Sequence, residues 1–304
     1  MNILTFGEPL FLNYLSEPKI CSSCNSFFSL GGSEVNTAVT LSNLRNNVFL
    51  LSVFPNNELG NEFINVIESL GINTRYVVKS NEDLIGTMYI KDNSVFYQRK
   101  HSAFSYISDV NLNDIFSTDY NWVHLTGITP MLSENCKSEW LKLLNKSLSL
   151  KIPISCDLNY RPALGDLTNL WNIVKPYINC FDLFLLSIND LKEICKLENI
   201  DISKKMIDKI MSMFALKFNI KRLVICRKKI LEHNSQDRNS LMIYKNELYS
   251  SKVKNHTPVE HIGGGDAFVG SLINGILKNK NNILDEADLY TIESQNFLGN
   301  FYYK

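Results

Sequence analysis

Short apolar runs rich in Val, Ile, Leu and Phe alternate along this chain with longer segments whose apolar residues recur at three- and four-residue intervals. The short runs are NILTFG (2 to 7), NVFLLSVF (47 to 54), NWVHLTGI (121 to 128), IPISCDLN (152 to 159), FDLFLLS (181 to 187) and KRLVICR (221 to 227). They read as inner strands, because a strand covered on both faces has little reason to alternate polar with apolar. The segments at 33 to 46, 59 to 71, 134 to 150 and 190 to 200 read as helices. This alternation predicts an α/β fold, with a mostly parallel central sheet covered by helices on both faces.

Two regions break the pattern. Residues 8 to 30 and 84 to 106 carry period-two patterning, and the second includes the turn pair Asp92-Asn93. They predict short antiparallel strands forming a small β-sheet lid outside the main sheet. The α/β core would then comprise 1–7, 31–83 and 107–304, and the lid 8–30 and 84–106. An insert that interrupts a core at two points is placed to close over a ligand.

Composition narrows the function. With 304 residues, 45% of them hydrophobic, the chain can bury its core without disulfide or metal. Lys plus Arg and Asp plus Glu balance at 31 each, so no net field draws it to nucleic acid or an anionic membrane. Small molecules and other protein chains are the expected partners. MNILTFGEPLFLNYL lacks the features of a signal peptide, and no apolar run reaches about 18 residues, which together point to the cytosol. The seven cysteines are scattered except for Cys21 and Cys24, and that pair has no second CxxC or HxxxH to complete a zinc site.

Only 14 glycines are present, yet five fall in two clusters, Gly31-Gly32 and Gly263-Gly264-Gly265, each ahead of a helical pattern. A helix start offers unpaired N–H groups and partial positive charge, which suits an anion. The run GGGD at 263 to 266 has two readings of about equal weight. Either the glycines form a loop and Asp266 adds negative charge to a first turn, or their N–H groups face phosphate oxygens while Asp266 accepts a hydroxyl proton. The second reading predicts a phosphotransferase without a Walker A loop; no GxxxxGK[ST] occurs. His101, His124 and His261 lack metal-ligand spacing and read as structural or exposed.

GGSEVNTAV (31 to 39), PNNELGNEFINVIESLGINT (55 to 74) and GGGDAFVGSLING (263 to 275), in this order and spacing, resemble the ribokinase-like (PfkB) family of carbohydrate kinases from residue 2 to about 290. VFYQRKHSA (95 to 103), VHLTGITPMLSEN (123 to 135) and SCDLNYRPALGD (155 to 166) are similar to segments of the 2-keto-3-deoxygluconate kinases within it. The resemblance implies a ribokinase-like fold and in-line transfer of the ATP γ-phosphoryl group to a primary hydroxyl of a small sugar acid, with Mg²⁺ bridging phosphates and no covalent enzyme intermediate. It leaves a monovalent cation open, assigns no metal ligand and implies a homodimer or higher homo-oligomer through pairing of lid edges.

By the same resemblance, Gly32, Ser33 and Asn36 hold the sugar, and Tyr97 and Arg99 reach down to it from the lid. Asp266 is the base beside the sugar, and the N–H groups of Gly263, Gly264 and Gly265 stabilise the transferring group. Asn159, Arg161, Ser187, Arg227, Gly263 and Gly265 fall on the nucleotide side, with Arg161 near the sugar as well. An acid substrate needs a cation, and Arg offers a planar fork for a carboxylate; Arg99, Lys100 and Arg161 are the available charges.

Three departures from the family lie on the nucleotide side. Glu260 stands where the family usually has Asp, RKKILEHNSQDRN (227 to 239) lacks the usual glycines, and the chain stops at QNFLGNFYYK, roughly 25 to 30 residues short of typical family lengths. Within the same class, a fructokinase-like hexose kinase is the runner-up. From another class, the rival is a catalytically impaired sugar-binding relative with a degraded nucleotide site.

Overall fold

The computed structural model describes residues 1–15, 25–91, 94–259 and 262–296. Cys21, Cys24, Asp92, Asn93, Glu260, His261 and the final residues 297–304 lie outside the described residues, and so do the readings placed on them.

The main sheet begins with β1 (Asn2–Phe6), and the chain then crosses to a small second sheet through β2 (Leu10–Leu15) and β3 (Ser26–Gly31). It returns through α1 (Ser33–Asn43), β4 (Asn47–Pro55), α2 (Glu58–Ser69), β5 (Ile72–Asn73) and β6 (Val77–Ser80), and visits the small sheet again with β7 (Thr87–Lys91) and β8 (Ser94–Gln98). After α3 (Leu112–Ile115) come β9 (Trp122–Thr126), α4 (Glu134–Ser149), β10 (Ile154–Asp157), α5 (Leu167–Val174), β11 (Leu183–Leu185), α6 (Ile188–Leu197) and α7 (Ile207–Lys217). The remainder is β12 (Arg222–Ile230), β13 (Gln236–Tyr244), β14 (Glu247–Ser250), β15 (Lys254–His256), α8 (Gly264–Leu277) and α9 (Ile283–Ser294).

The main sheet runs β14-β13-β12-β11-β10-β9-β1-β4-β5, with β15 on β13 and β6 on β4. From β5 to β12 the pairs are parallel; β12, β13, β14 and β15 pair antiparallel. The apolar runs predict the parallel centre but not the antiparallel end from 236 to 256. The fold is the helix-covered, mostly parallel α/β sheet that the sequence predicts. Its core lies on both faces of the sheet, one side around Trp140, Trp171 and Phe214 and the other around Val35, Phe268 and Leu272. Trp140 is fully buried and donates its indole N–H to the Thr126 carbonyl at 3.1 Å, so it locks α4 onto the end of β9. Truncating such a side chain costs about 3–5 kcal/mol.

The small sheet has the order β3-β2-β7-β8. It is not wholly antiparallel: β2 and β7, from separate parts of the chain, pair parallel between two antiparallel pairs. Leu10, Leu12, Met88 and Ile90 form its own apolar cluster. Among the described residues no helix is long and apolar enough to cross a membrane.

Candidate active site

The first turns of α1 and α8 meet at Asp266. Gly263 caps α8 in the left-handed region (φ 77°), which favours glycine, and the N–H groups of the next residues have no intrahelical acceptor. Ser33 Oγ donates to Asp266 Oδ1 at 2.6 Å, and Asn36 Nδ2 donates to Oδ2 at 2.7 Å. Asn159 Nδ2 in turn donates to Ser33 Oγ at 2.8 Å. Asn159 itself is left-handed (φ 41°), and its N–H donates to Asp157 Oδ1 at 3.1 Å. One chain of bonds thus joins the end of β10, the start of α1 and the start of α8.

Two cavities meet here. The smaller, about 280 Å³, is lined by Gly32, Ser33, Asn36, Tyr97, Arg99, Gly263 and Asp266 among others. The larger, about 840 Å³, has an apolar floor of Leu185, Leu186, Val224 and Val269, with Ser187, Asp190 and Glu193 on its wall. Asp157, Asn159, Arg161 and Gly265 line both. A Cβ added to Gly265 would meet nothing within 4 Å, whereas one on Gly264 would reach Gln295 Nε2 at 2.6 Å. Gly265 therefore faces open space, and Gly264 is glycine because α9 packs against it.

The acids at this junction are held above the usual carboxylate range. Burial raises Asp266, opposed by its bonds from Ser33 and Asn36 and by the Arg161 charge. Asp157 is pushed up to about 7, first by burial and then by the charge of Asp266, again against Arg161. Burial also raises Asp190. Arg161 is the cation shared by all three acids. Among the described residues no cluster of His, Cys, Asp or Glu could hold a metal on protein ligands alone. Mg²⁺ is commonly bound by one or two carboxylates together with substrate phosphates, and Asp157 and Asp190 on the larger cavity are the carboxyls that would hold such an ion.

The small sheet contributes Tyr97, which is 38% exposed, and Arg99, which is buried. Arg99 is no solvated surface residue: its Nε donates to Glu8 Oε2 at 2.5 Å in a buried ion pair. Lys100 lies outside both cavities, so among the described residues the cations lining the smaller one are Arg99 and Arg161.

Two sequence-derived candidates line neither cavity, Gly264 and Arg227. The segment after the arginine extends as a β12–β13 hairpin, and Arg227 opposes Asn239 in register and donates Nε to its Oδ1 at 3.0 Å. Lys228 and Lys229 are likewise outside them. His124 is fully buried against Ser155 Oγ at 2.9 Å, and burial pushes it down to about 3, so it stays neutral.

Sequence reading missed Glu8, Glu34, Asp157 and Asp190. Glu34 is buried, accepts from Thr126 at 2.5 Å and Thr129 at 2.9 Å, and burial raises its pKa. The signal for Glu34 and Asp157 was present, since both lie inside the quoted motifs, but an acid in a motif does not announce which space it faces.

A carboxylate aimed at a small polar cavity, with a larger cavity opening across the same helix start, is the layout of a kinase that moves a phosphoryl group between two small molecules. The family model described as pfkB family carbohydrate kinase matches residues 25–283, and the chain belongs to that family. It is 24% identical over 282 residues to a 2-dehydro-3-deoxygalactonokinase of Haloferax volcanii, covering 90% of this chain and 84% of that one. The solved 2-dehydro-3-deoxygluconokinase of Thermotoga maritima superposes with a TM-score of 0.89 at 23% identity, over 99% of this chain and 96% of that one. A putative ribokinase II of E. coli, solved with ATP and Mg²⁺, gives 0.80 at 16% identity over 98% and 94%.

Proposed function

We propose that this carbohydrate kinase works in the cytosol and transfers the γ-phosphoryl group of ATP to a primary hydroxyl of a small sugar acid, with 2-keto-3-deoxygluconate the first candidate. The observation that carries the reading is the sharing of Asp157, Asn159, Arg161 and Gly265 by the two cavities, with Asp266 on the smaller one. The sugar occupies the smaller cavity and the nucleotide the larger. Asp266 takes the proton of the attacking hydroxyl, whose oxygen bonds phosphorus as the bond to the leaving phosphate oxygen breaks. The free N–H groups at the start of α8 and the Arg161 charge face the oxygens of the group in flight. Mg²⁺, when bound with the nucleotide, supplies charge neutralisation between its phosphates.

Arg99 supports the acid substrate, since the residue lines the sugar cavity while its Nε is engaged by Glu8. The names of the Haloferax and Thermotoga relatives support the same class. Exposed Phe27, Phe28 and Phe96 on the edge strands β3 and β8 support a homodimer in which a second copy covers the lid. The glycine-free hairpin after Arg227 favours a second reading, a relative that binds the sugar acid but turns it over poorly. A coupled ADP-release assay with 2-keto-3-deoxygluconate and with fructose, on this chain and on Asp266→Asn, decides among these. Turnover of the acid that is lost in the variant supports the proposal; fructose used equally well sinks the acid assignment; no turnover in either protein sinks the kinase reading for these sugars.

A further inference from the structure

Every passage between the main sheet and the lid touches Glu8. The chain first leaves the core at Glu8 itself, between β1 and β2, and returns at Gly32, where an added Cβ would meet the Glu8 carbonyl oxygen at 2.4 Å. It leaves again at Gly86, where an added Cβ would meet Glu8 Oε1 at 2.5 Å, and returns at Arg99, whose Nε donates to Glu8 Oε2 at 2.5 Å. Ser102, just beyond, donates its hydroxyl to Oε1. Glu8 is 1% exposed, so neither carboxylate oxygen is left to water. A buried carboxylate with both oxygens engaged has one orientation, and it imposes that orientation on the guanidinium it holds.

The geometry points to Glu8 as a positioning residue for the acceptor substrate: it grips Arg99 by the Nε edge at the root of the lid and thereby presents the remaining Nη edge to an anion in the sugar cavity. The inference rests on the proposed acid substrate. Arg99 is buried and lines that cavity, its charge also reaches the buried Glu34, and among the described residues no side chain hydrogen-bonds to its Nη atoms. The spare edge of the fork is the one suited to a carboxylate. Gly86 and Gly32 are glycines for a compatible reason, because a side chain at either would push on the Glu8 anchor. Glu8 touches no substrate in this scheme and acts only through Arg99.

The test is steady-state kinetics of Glu8→Gln, Arg99→Gln and the double variant, with 2-keto-3-deoxygluconate and with a neutral ketohexose. Glu8→Gln keeps the volume and an acceptor oxygen while removing the charge. The expected result is a rise of about 10-fold or more in KM for the acid with kcat within about threefold, little change in KM for the neutral sugar, and no further rise when Glu8→Gln is added to Arg99→Gln. Ser102→Ala, which leaves the ion pair in place, is expected to give a smaller shift in the same direction. Equal KM changes for acid and neutral sugar, or additive effects in the double variant, overturn the role of Glu8 and leave the kinase reading standing. If the unaltered chain turns over no sugar acid at all, the reading falls and this inference falls with it.

Discussion

Ser33 on the first turn of α1 donates its hydroxyl to Asp266 on the first turn of α8 at 2.6 Å, across a separation of 233 residues. With the 2.7 Å bond from Asn36, the carboxylate is held on both oxygens by a helix whose own start lines the smaller cavity. A base fixed in this way loses little orientational freedom when a substrate hydroxyl arrives.

Replacing Asp266 by Asn should therefore keep the fold, since an amide can still accept from Ser33, while removing the proton acceptor. The expected loss is on the order of 10² to 10⁴ in kcat with a much smaller change in sugar KM. Burial raises the Asp266 pKa, and the base must be ionised to act, so kcat/KM should fall with decreasing pH at a value above that of an ordinary aspartate. A pH profile of kcat/KM checks the sign: activity that rises toward acid would contradict the assignment.

Asp157 makes a separate prediction about stability. Its carboxyl is pushed up to about 7 in the fold, against an ordinary value of 3.8, so the native state keeps a proton that the unfolded chain has released. That contribution is present below the unfolded value and is lost as pH rises through the folded one. Asp157→Asn, which still offers an oxygen to the Asn159 N–H, should remove the slope and gain on the unaltered protein toward alkaline pH, by at most about 4 kcal/mol. Denaturant melts at about pH 5 and about pH 8 measure it; parallel curves for the two proteins would show that Asp157 is ionised throughout.

The neighbouring glycines should separate stability from activity. Gly265→Ala places its methyl in empty space at the cavity junction, so the melting temperature should hold or rise with the better helix former while phosphoryl transfer collapses. Gly264→Ala drives its methyl toward the Gln295 amide and should lower the melting temperature by an amount corresponding to about 1–2 kcal/mol. Thermal melts paired with turnover for both variants form the test. Loss of stability in Gly265→Ala would mean that its missing side chain serves packing.

How far the chain could be read in advance depended on the kind of signal each part carries. The buried parallel strands declare themselves where, as in β4, apolar residues fall on both faces, and the two glycine clusters stand out in a glycine-poor chain. The hairpin from β12 to β13 does not, because Arg227, Lys228 and Lys229 read as a polar loop although they continue the strand and pair with Asn239, Arg238 and Asp237. Glu8 and Glu34 escaped for another reason. Each is ionisable yet 1% exposed, and what makes burial tolerable is a set of partners, Arg99 and Ser102 for one and Thr126 and Thr129 for the other, about 90 residues away along the chain.

Arg227 supplies the last prediction, because the family resemblance and the geometry diverge there. Its guanidinium is engaged by Asn239 on the hairpin and faces neither cavity, so removing it takes no charge away from a nucleotide in the larger one. Arg227→Ala should leave the KM for ATP within about twofold and cost no more than the modest stability of a half-buried side-chain hydrogen bond, about 1 kcal/mol. Arg161→Ala, by contrast, strips the cation shared by Asp157, Asp190 and Asp266 and lines both cavities, so it should depress kcat by at least about 10-fold. Measuring ATP dependence for both variants side by side discriminates the two arginines. A large KM effect at Arg227 would mean that the hairpin folds over the nucleotide in the working enzyme.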